Sequence, residues 1–147
     1  MNALTPLLAT AHVALDVSAG SKKRVLEQIA EAFVPEGFSA NRLFQALLER
    51  ERLGSTGLGE GIAIPHARIP GLTQPRLAFL RLAQPVPFDA LDGKPVQLVV
   101  ALLVPEQATD LHLQILSELA ERLSHPEVRA ALQAAPDAAA ALAALRV

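Results

Sequence analysis

The run Val96-Gln97-Leu98-Val99-Val100-Ala101-Leu102-Leu103-Val104, bounded by Pro95 and Pro105, is almost unbroken in its hydrophobicity. A strand can dispense with polar residues only when other elements cover both its faces, so the run reads as a central strand of an α/β protein. It is far too short to span a bilayer, which takes about 20 apolar residues. Upstream, residues 76–82 make a second strand candidate, and Asp92-Gly93 between the two supplies a turn that lets them lie side by side. Residues 12–17 alternate Val13, Leu15 and Val17 with other residues, the pattern of a strand with one buried face.

Helical patterns flank these strands. In residues 22–33 the apolar positions Val25, Leu26, Ile29, Ala30 and Phe33 recur at three-to-four spacing, with Ser21 as cap and Pro35-Glu36-Gly37 as stop. Ser39 caps a second helix through Leu43, Phe44, Leu47 and Leu48, which Gly54 ends. After the central strand, Asp110 is placed to cap residues 111–123, with Leu111, Ile115, Leu116, Leu119 and Leu123 as the inward stripe. Ser124-His125-Pro126 interrupts, a short helix runs to about residue 134, and Asp137 caps an alanine-rich helix ending at Arg146. The expectation is one α/β domain over residues 1–147, a mixed β-sheet flanked by helices.

Composition narrows the function. Hydrophobic residues make up 51% of the chain and aromatic ones 3%, so the core has to be aliphatic, around five Phe. A net charge of −2 with acids and bases interspersed leaves no electrostatic footprint for nucleic acid or an anionic membrane. The absence of cysteine removes disulfides, thiolate catalysis and zinc-cysteine sites, and fits a reducing compartment. Residues 1–11 carry no basic leader before their apolar run and do not read as a signal peptide, so a cytoplasmic protein without membrane insertion is expected.

Chemistry concentrates between the second helix and the second strand, in Leu53-Gly54-Ser55-Thr56-Gly57-Leu58-Gly59-Glu60-Gly61-Ile62-Ala63-Ile64-Pro65-His66. Gly54, Gly57, Gly59 and Gly61 permit tight turns and close approach, and Pro65 fixes the backbone angle before an imidazole. A lone histidine is more often structural than reactive, yet an imidazole titrates near neutrality and His66 has a nitrogen able to attack phosphorus. His112 opens the helix after the central strand, where the positive helix end attracts anions. Arg50 precedes the glycine loop and offers forked donors that suit phosphate oxygens, against the plainer reading of a solvated charge in residues 49–52. Ser55 and Thr56 are candidates to donate hydroxyls to a phosphoryl group or to cap local turns, and spacing alone leaves both open. His12 and His125 read as surface or structural residues. No histidine spacing matches a metal motif, and no Walker or serine-hydrolase signature is present, so no cofactor and no metal is expected.

The ungapped string from Gly54-Ser55-Thr56-Gly57 to Gly61-Ile62-Ala63-Ile64-Pro65-His66, with Leu103-Val104-Pro105-Glu106 and Leu111-His112-Leu113, resembles the mannitol/fructose-type enzyme IIA family of the sugar phosphotransferase system. Ser21-Lys22-Lys23-Arg24 brings it nearest to the nitrogen-regulatory branch, and the resemblance spans nearly the whole chain. It implies the mannitol-type IIA fold and a phosphohistidine carrier. His66 would be the phosphoacceptor, through Nε2, with His112 and Arg50 stabilising the phosphoryl group. Phosphoenolpyruvate would charge enzyme I, then an HPr-like phosphocarrier, then His66. Ile62, Ile64, Leu58 and Ile69 are candidates for part of the carrier's docking surface. Relatives usually carry Gly-Lys after the histidine, where this chain has Ala67-Arg68, a departure that keeps the positive charge.

With 147 residues there is no room for a transport channel or a cysteine-bearing IIB domain, so a regulatory role is expected, with phosphorylation state selecting target proteins. By resemblance, targets would include a sensor kinase or potassium-transport components. The alternatives are a fructose-type sugar-specific IIA subunit, which would pass its phosphate to a separate IIB protein, and a binding module that works without phosphorylation.

Overall fold

β6 (Val96–Pro105) runs through the middle of the sheet and organises it. The computed structural model describes residues 3–107 and 110–146. In chain order these form α1 (Thr5–Leu8), β1 (His12–Val17), α2 (Lys22–Glu31), a 3-10 turn (Val34–Glu36), α3 (Ala40–Leu53), β2 (Gly57–Gly59), β3 (Ile62–Ala63), β4 (His66–Ile69) and β5 (Arg76–Val86). β6 is followed by α4 (Asp110–Leu123), α5 (Pro126–Ala134) and α6 (Ala138–Leu145).

Among the described residues six strands make one mixed sheet, ordered β1-β5-β6-β3-β2, with β4 also on β6. β5 lies antiparallel to β6, as the Asp92-Gly93 turn requires, and β1 runs parallel to β5. The other edge of β6 takes two short parallel pieces in line. β3 pairs Ile62 with Leu98 and Ala63 with Val99, and β4 resumes with His66 opposite Leu102. The gap between them is residues 64–65. Proline has no N–H to give a ladder, so the strand breaks there, although the Pro65 carbonyl still accepts from the Leu102 N–H at 2.9 Å. The Ile64 N–H turns the other way, to the Thr56 carbonyl at 3.0 Å.

Alternation along β6 divides the interior in two. Val99, Ala101 and Leu103 face α2 and α3, with Leu26, Ile29, Phe33, Leu43 and Leu47. Leu98, Val100, Leu102 and Val104 face the opposite layer, with Leu4 of the N-terminal segment and Ile115, Leu119 and Leu132 of α4 and α5. Burying each such side chain stabilises the fold by roughly 1.5–3 kcal/mol, and β6 contributes to both cores, which is why its sequence is so apolar.

The expected caps are present: Ser21 Oγ accepts from the Arg24 N–H, Ser39 Oγ from the Arg42 N–H and Asp137 Oδ1 from the Ala140 N–H. Three expectations shift. The helix expected over residues 22–33 ends at Glu31, because the chain tightens into the 3-10 turn that delivers Phe33 fully into the core. Asp110 is the first residue of α4 and not its cap; the cap position, 109, lies outside the described residues. On α4 the inward stripe starts at His112 in place of Leu111, which is 46% exposed. Both lie one turn before Ile115, so periodicity alone could not choose between them. The segment α1 was not anticipated; the Ala3 and Leu4 N–H groups donate to the Glu118 carboxylate at 2.9 to 3.1 Å and seat it on α4.

Candidate functional site

His66 is the first residue of β4, half-buried where the broken strand rejoins the sheet. Its Nδ1 lies 2.8 Å from the Ile64 carbonyl oxygen. A carbonyl can only accept, so Nδ1 carries the proton and Nε2 keeps its lone pair. Burial holds the proton affinity of the ring below the ordinary histidine value, and the Arg50 guanidinium pushes the same way; the Ile64 carbonyl and the Glu51 carboxylate oppose them. The result is a neutral, tautomerically defined imidazole at neutral pH.

A cavity of about 770 Å³ opens at this end of the sheet. Arg50 and Leu53 come to it from α3, His66 and Arg68 from β4, and His112 and Leu113 from α4. Helices from both layers thus meet over the one edge strand, and the two histidines and Arg50 singled out in the sequence share a single concavity. Arg50 also ties down the loop that follows it, Nη1 donating to the Gly54 carbonyl at 3.0 Å. His112 is buried in the first turn of α4.

Ser55 and Thr56 sit behind this cavity and do not line it. The Ser55 hydroxyl donates to the Phe88 carbonyl at 2.5 Å and accepts from the Gly57 N–H at 3.0 Å. The Thr56 hydroxyl donates to the buried Glu51 carboxylate, which also accepts from the Thr56 N–H. Both hydroxyls thus hydrogen-bond within the protein, to the Phe88 carbonyl and the Glu51 carboxylate.

The glycine loop divides similarly. Gly57 is required by contact, since a Cβ there would come within 2.8 Å of the Ala90 Cβ; Gly59 is required by its left-handed φ of 93°. Gly54 has an extended backbone and open space around it, so its place as a helix stop, not a strained turn, explains it. The expected apolar docking residues are corrected: Ile62, Ile64 and Ile69 are buried in the two cores, and only Leu58, 50% exposed, reaches the surface. The accessible apolar side chains beside the cavity are Leu53 and Leu113, 84% and 67% exposed.

Sequence reasoning noted Arg68 and Leu113 only as parts of motifs, not as residues of a site, and did not single out Glu51. The first was legible as the residue two past His66, on the same face of a strand, had β4 been recognised. Among the described residues no group of acidic or histidine side chains is arranged to hold a metal ion, and no helix is long and apolar enough to cross a membrane.

A family model described as "Phosphoenolpyruvate-dependent sugar phosphotransferase system, EIIA 2" matches residues 6–146. The chain belongs to this family. Among EIIA 2 relatives, the nitrogen regulatory protein of Pseudomonas aeruginosa is 50% identical over 139 residues, covering 93% of this chain and 90% of that one. The crystal structure of nitrogen regulatory protein IIA-Ntr from Neisseria meningitidis superposes with a TM-score of 0.91 at 43% identity, over 96% of this chain and 99% of that one. The mannitol IIA of Escherichia coli shares the fold, with a TM-score of 0.75 at 23% identity over 92% of this chain and 96% of that one. The mixed sheet between helical layers is thus the EIIA fold, and membership of the family carries a phosphotransfer role.

Proposed function

We propose that this EIIA chain accepts a phosphoryl group from an HPr-type phosphocarrier protein on Nε2 of His66, and that its charged or uncharged state selects the regulatory proteins it binds. The observation that carries this reading is the 2.8 Å contact from Nδ1 to the Ile64 carbonyl, which reserves the other ring nitrogen for attack.

In the transfer, the lone pair on Nε2 forms the new P–N bond in line with the one that breaks on the carrier's phosphohistidine. The bonding pair returns to the carrier's ring nitrogen. The positive charge gained by the His66 ring stays with its Nδ1–H, which the Ile64 carbonyl holds, and the same charge makes the ring a good leaving group for onward transfer. Phosphoryl transfer of this kind depends on positioning and charge stabilisation, and Arg50 and His112, on the same cavity, are the groups to contact the phosphoryl oxygens. A docked carrier over Leu53 and Leu113 excludes water.

The regulatory half rests on the 50% identity to a protein named as nitrogen regulatory. A phosphoryl group adds about −1.5 to −2 charge, placed here beside the two exposed leucines, so any partner that buries this face distinguishes the two states. A sensor kinase or a potassium-transport component is the kind of target to try first.

The experiment is intact-mass spectrometry after incubation with phosphoenolpyruvate, enzyme I and an HPr-type carrier. One acid-labile phosphoryl group, absent in His66→Ala, is the expected result. An uncharged wild type would overturn the reading in favour of a binding module, and rapid onward transfer to an added fructose-type IIB protein would favour a sugar-specific subunit.

A further inference from the structure

Glu51 is a buried carboxylate for which the transfer chemistry has no direct use. It lies on the last turns of α3, next to Arg50, with its side chain 3% exposed. Lys22 of α2 pairs with it at 2.7 Å. The same ammonium donates to the Phe88 carbonyl at 3.2 Å, the acceptor that Ser55 also uses. Taking a carboxylate out of water costs several kcal/mol, so this pair, with Glu51 buried and Lys22 partly exposed, is poorly explained by stability alone.

Its hydrogen bonds lead to the reactive ring. Glu51 accepts from the Thr56 N–H at 3.2 and 3.3 Å and from the Thr56 hydroxyl. The Thr56 carbonyl accepts from the Ile64 N–H at 3.0 Å. The Ile64 carbonyl accepts from His66 Nδ1–H at 2.8 Å. The N–H and the carbonyl that Thr56 and Ile64 each contribute lie on opposite sides of an α-carbon, in different peptide groups, so the link is one of position: the carboxylate holds Thr56, Thr56 holds Ile64, and the Ile64 carbonyl holds the ring. The direct field of Glu51 also reaches His66, where it offsets that of Arg50.

We propose that Glu51, held by Lys22, is a positioning residue: by fixing the backbone at Thr56, and through it at Ile64, it places the carbonyl that orients the His66 ring and keeps its proton on Nδ1. The role in transfer rests on the phosphocarrier reading above, but the ring can be observed with no carrier present.

The test is ¹⁵N NMR of the histidine ring nitrogens in the uncharged full chain, for wild type and Glu51→Gln. The expected wild-type spectrum is a single Nδ1–H tautomer for His66. Glu51→Gln is expected to give a mixture, and to slow single-turnover charging by about 10- to 100-fold, with the KM for the carrier unchanged. Because Glu51→Gln leaves the Lys22 ammonium with only the Phe88 carbonyl and the exposed Asp89 carboxylate 4.0 Å away, Lys22→Met/Glu51→Gln removes both charges and is expected to give the same tautomer mixture. A wild-type Nε2–H tautomer, or an unchanged single tautomer in a folded variant, would overturn the proposal. So would loss of the fold in both variants, which would make the pair structural. If wild type takes no phosphate while the tautomer still responds to Glu51, the phosphocarrier reading fails and the positioning role stands.

Discussion

Ile64 and His66 meet across a single proline: the carbonyl of one accepts from Nδ1 of the other at 2.8 Å, and Pro65 between them sends its own carbonyl to Leu102. The break in the edge strand and the orientation of the imidazole are one local feature. Its first consequence concerns pH.

The proposed transfer requires a neutral His66. Burial and Arg50 lower its proton affinity, so charging is expected to hold its plateau to a pH below 6.5, the ordinary histidine value. Between the lowered value and 6.5 the unfolded chain binds the extra proton and the folded one does not, so this group's contribution to stability rises with pH across that window. Single-turnover transfer rates against pH locate the acid limb; a limb above 6.5 would contradict the assignment.

Replacing the guanidinium tests both its roles. Arg50→Gln is expected to lower the plateau rate by about 10- to 100-fold, the worth of one charge-assisted hydrogen bond to the phosphoryl group. It is also expected to move the acid limb up, since a positive neighbour is gone. A rate loss without movement of the limb would confine Arg50 to tethering the Gly54 carbonyl.

The glycines of the loop should separate under mutation. Gly57→Ala drives a methyl to 2.8 Å from the Ala90 Cβ and is expected to destabilise by about 1–3 kcal/mol. Gly54→Ala, in open space with an extended backbone, is expected to stay within about 0.5 kcal/mol of wild type. Urea unfolding midpoints of the two variants decide the matter, and equal losses would mean the loop packs otherwise.

Away from the site, Glu36 joins three elements. Its carboxylate pairs with Arg76 at the start of β5 and with His12 Nε2 of β1 at 2.5 Å, and these bonds hold its pKa at about 2 against an ordinary 4.5. Because the folded value is the depressed one, the stability it brings is complete above pH 4.5 and is lost as pH falls towards about 2. Denaturation curves over that range are expected to show a shallower acid loss for Glu36→Gln than for wild type.

Much of this architecture was legible in the chain because it rests on short-range chemistry. The unbroken run of β6, the serine and aspartate caps and the Asp92-Gly93 turn each carry their own local cause, and the structure keeps them. What sequence periodicity missed was decided by long-range contact. β3 and β4 have two and four residues, too few to show a period, and exist because β6 offers them an edge. The choice of His112 over Leu111 as the inward residue of α4 depends on a helix phase that only packing sets. Ser55 and Thr56 looked fit for a ligand because hydroxyls in a glycine loop do; their acceptors, Phe88 and Glu51, arrive from elsewhere in the chain.

The sheet keeps its two interiors apart along most of its length, one filled by α2 and α3 and the other by α1, α4, α5 and α6. At the cavity this partition ends, where α3 brings Arg50 from one interior and α4 brings His112 from the other. His66 therefore stands on a seam between two separately packed halves. Drift in either half that tilts its helix alters only one wall of the cavity, so the shape of the cavity can change while His66, fixed to the strand between them, stays where it is.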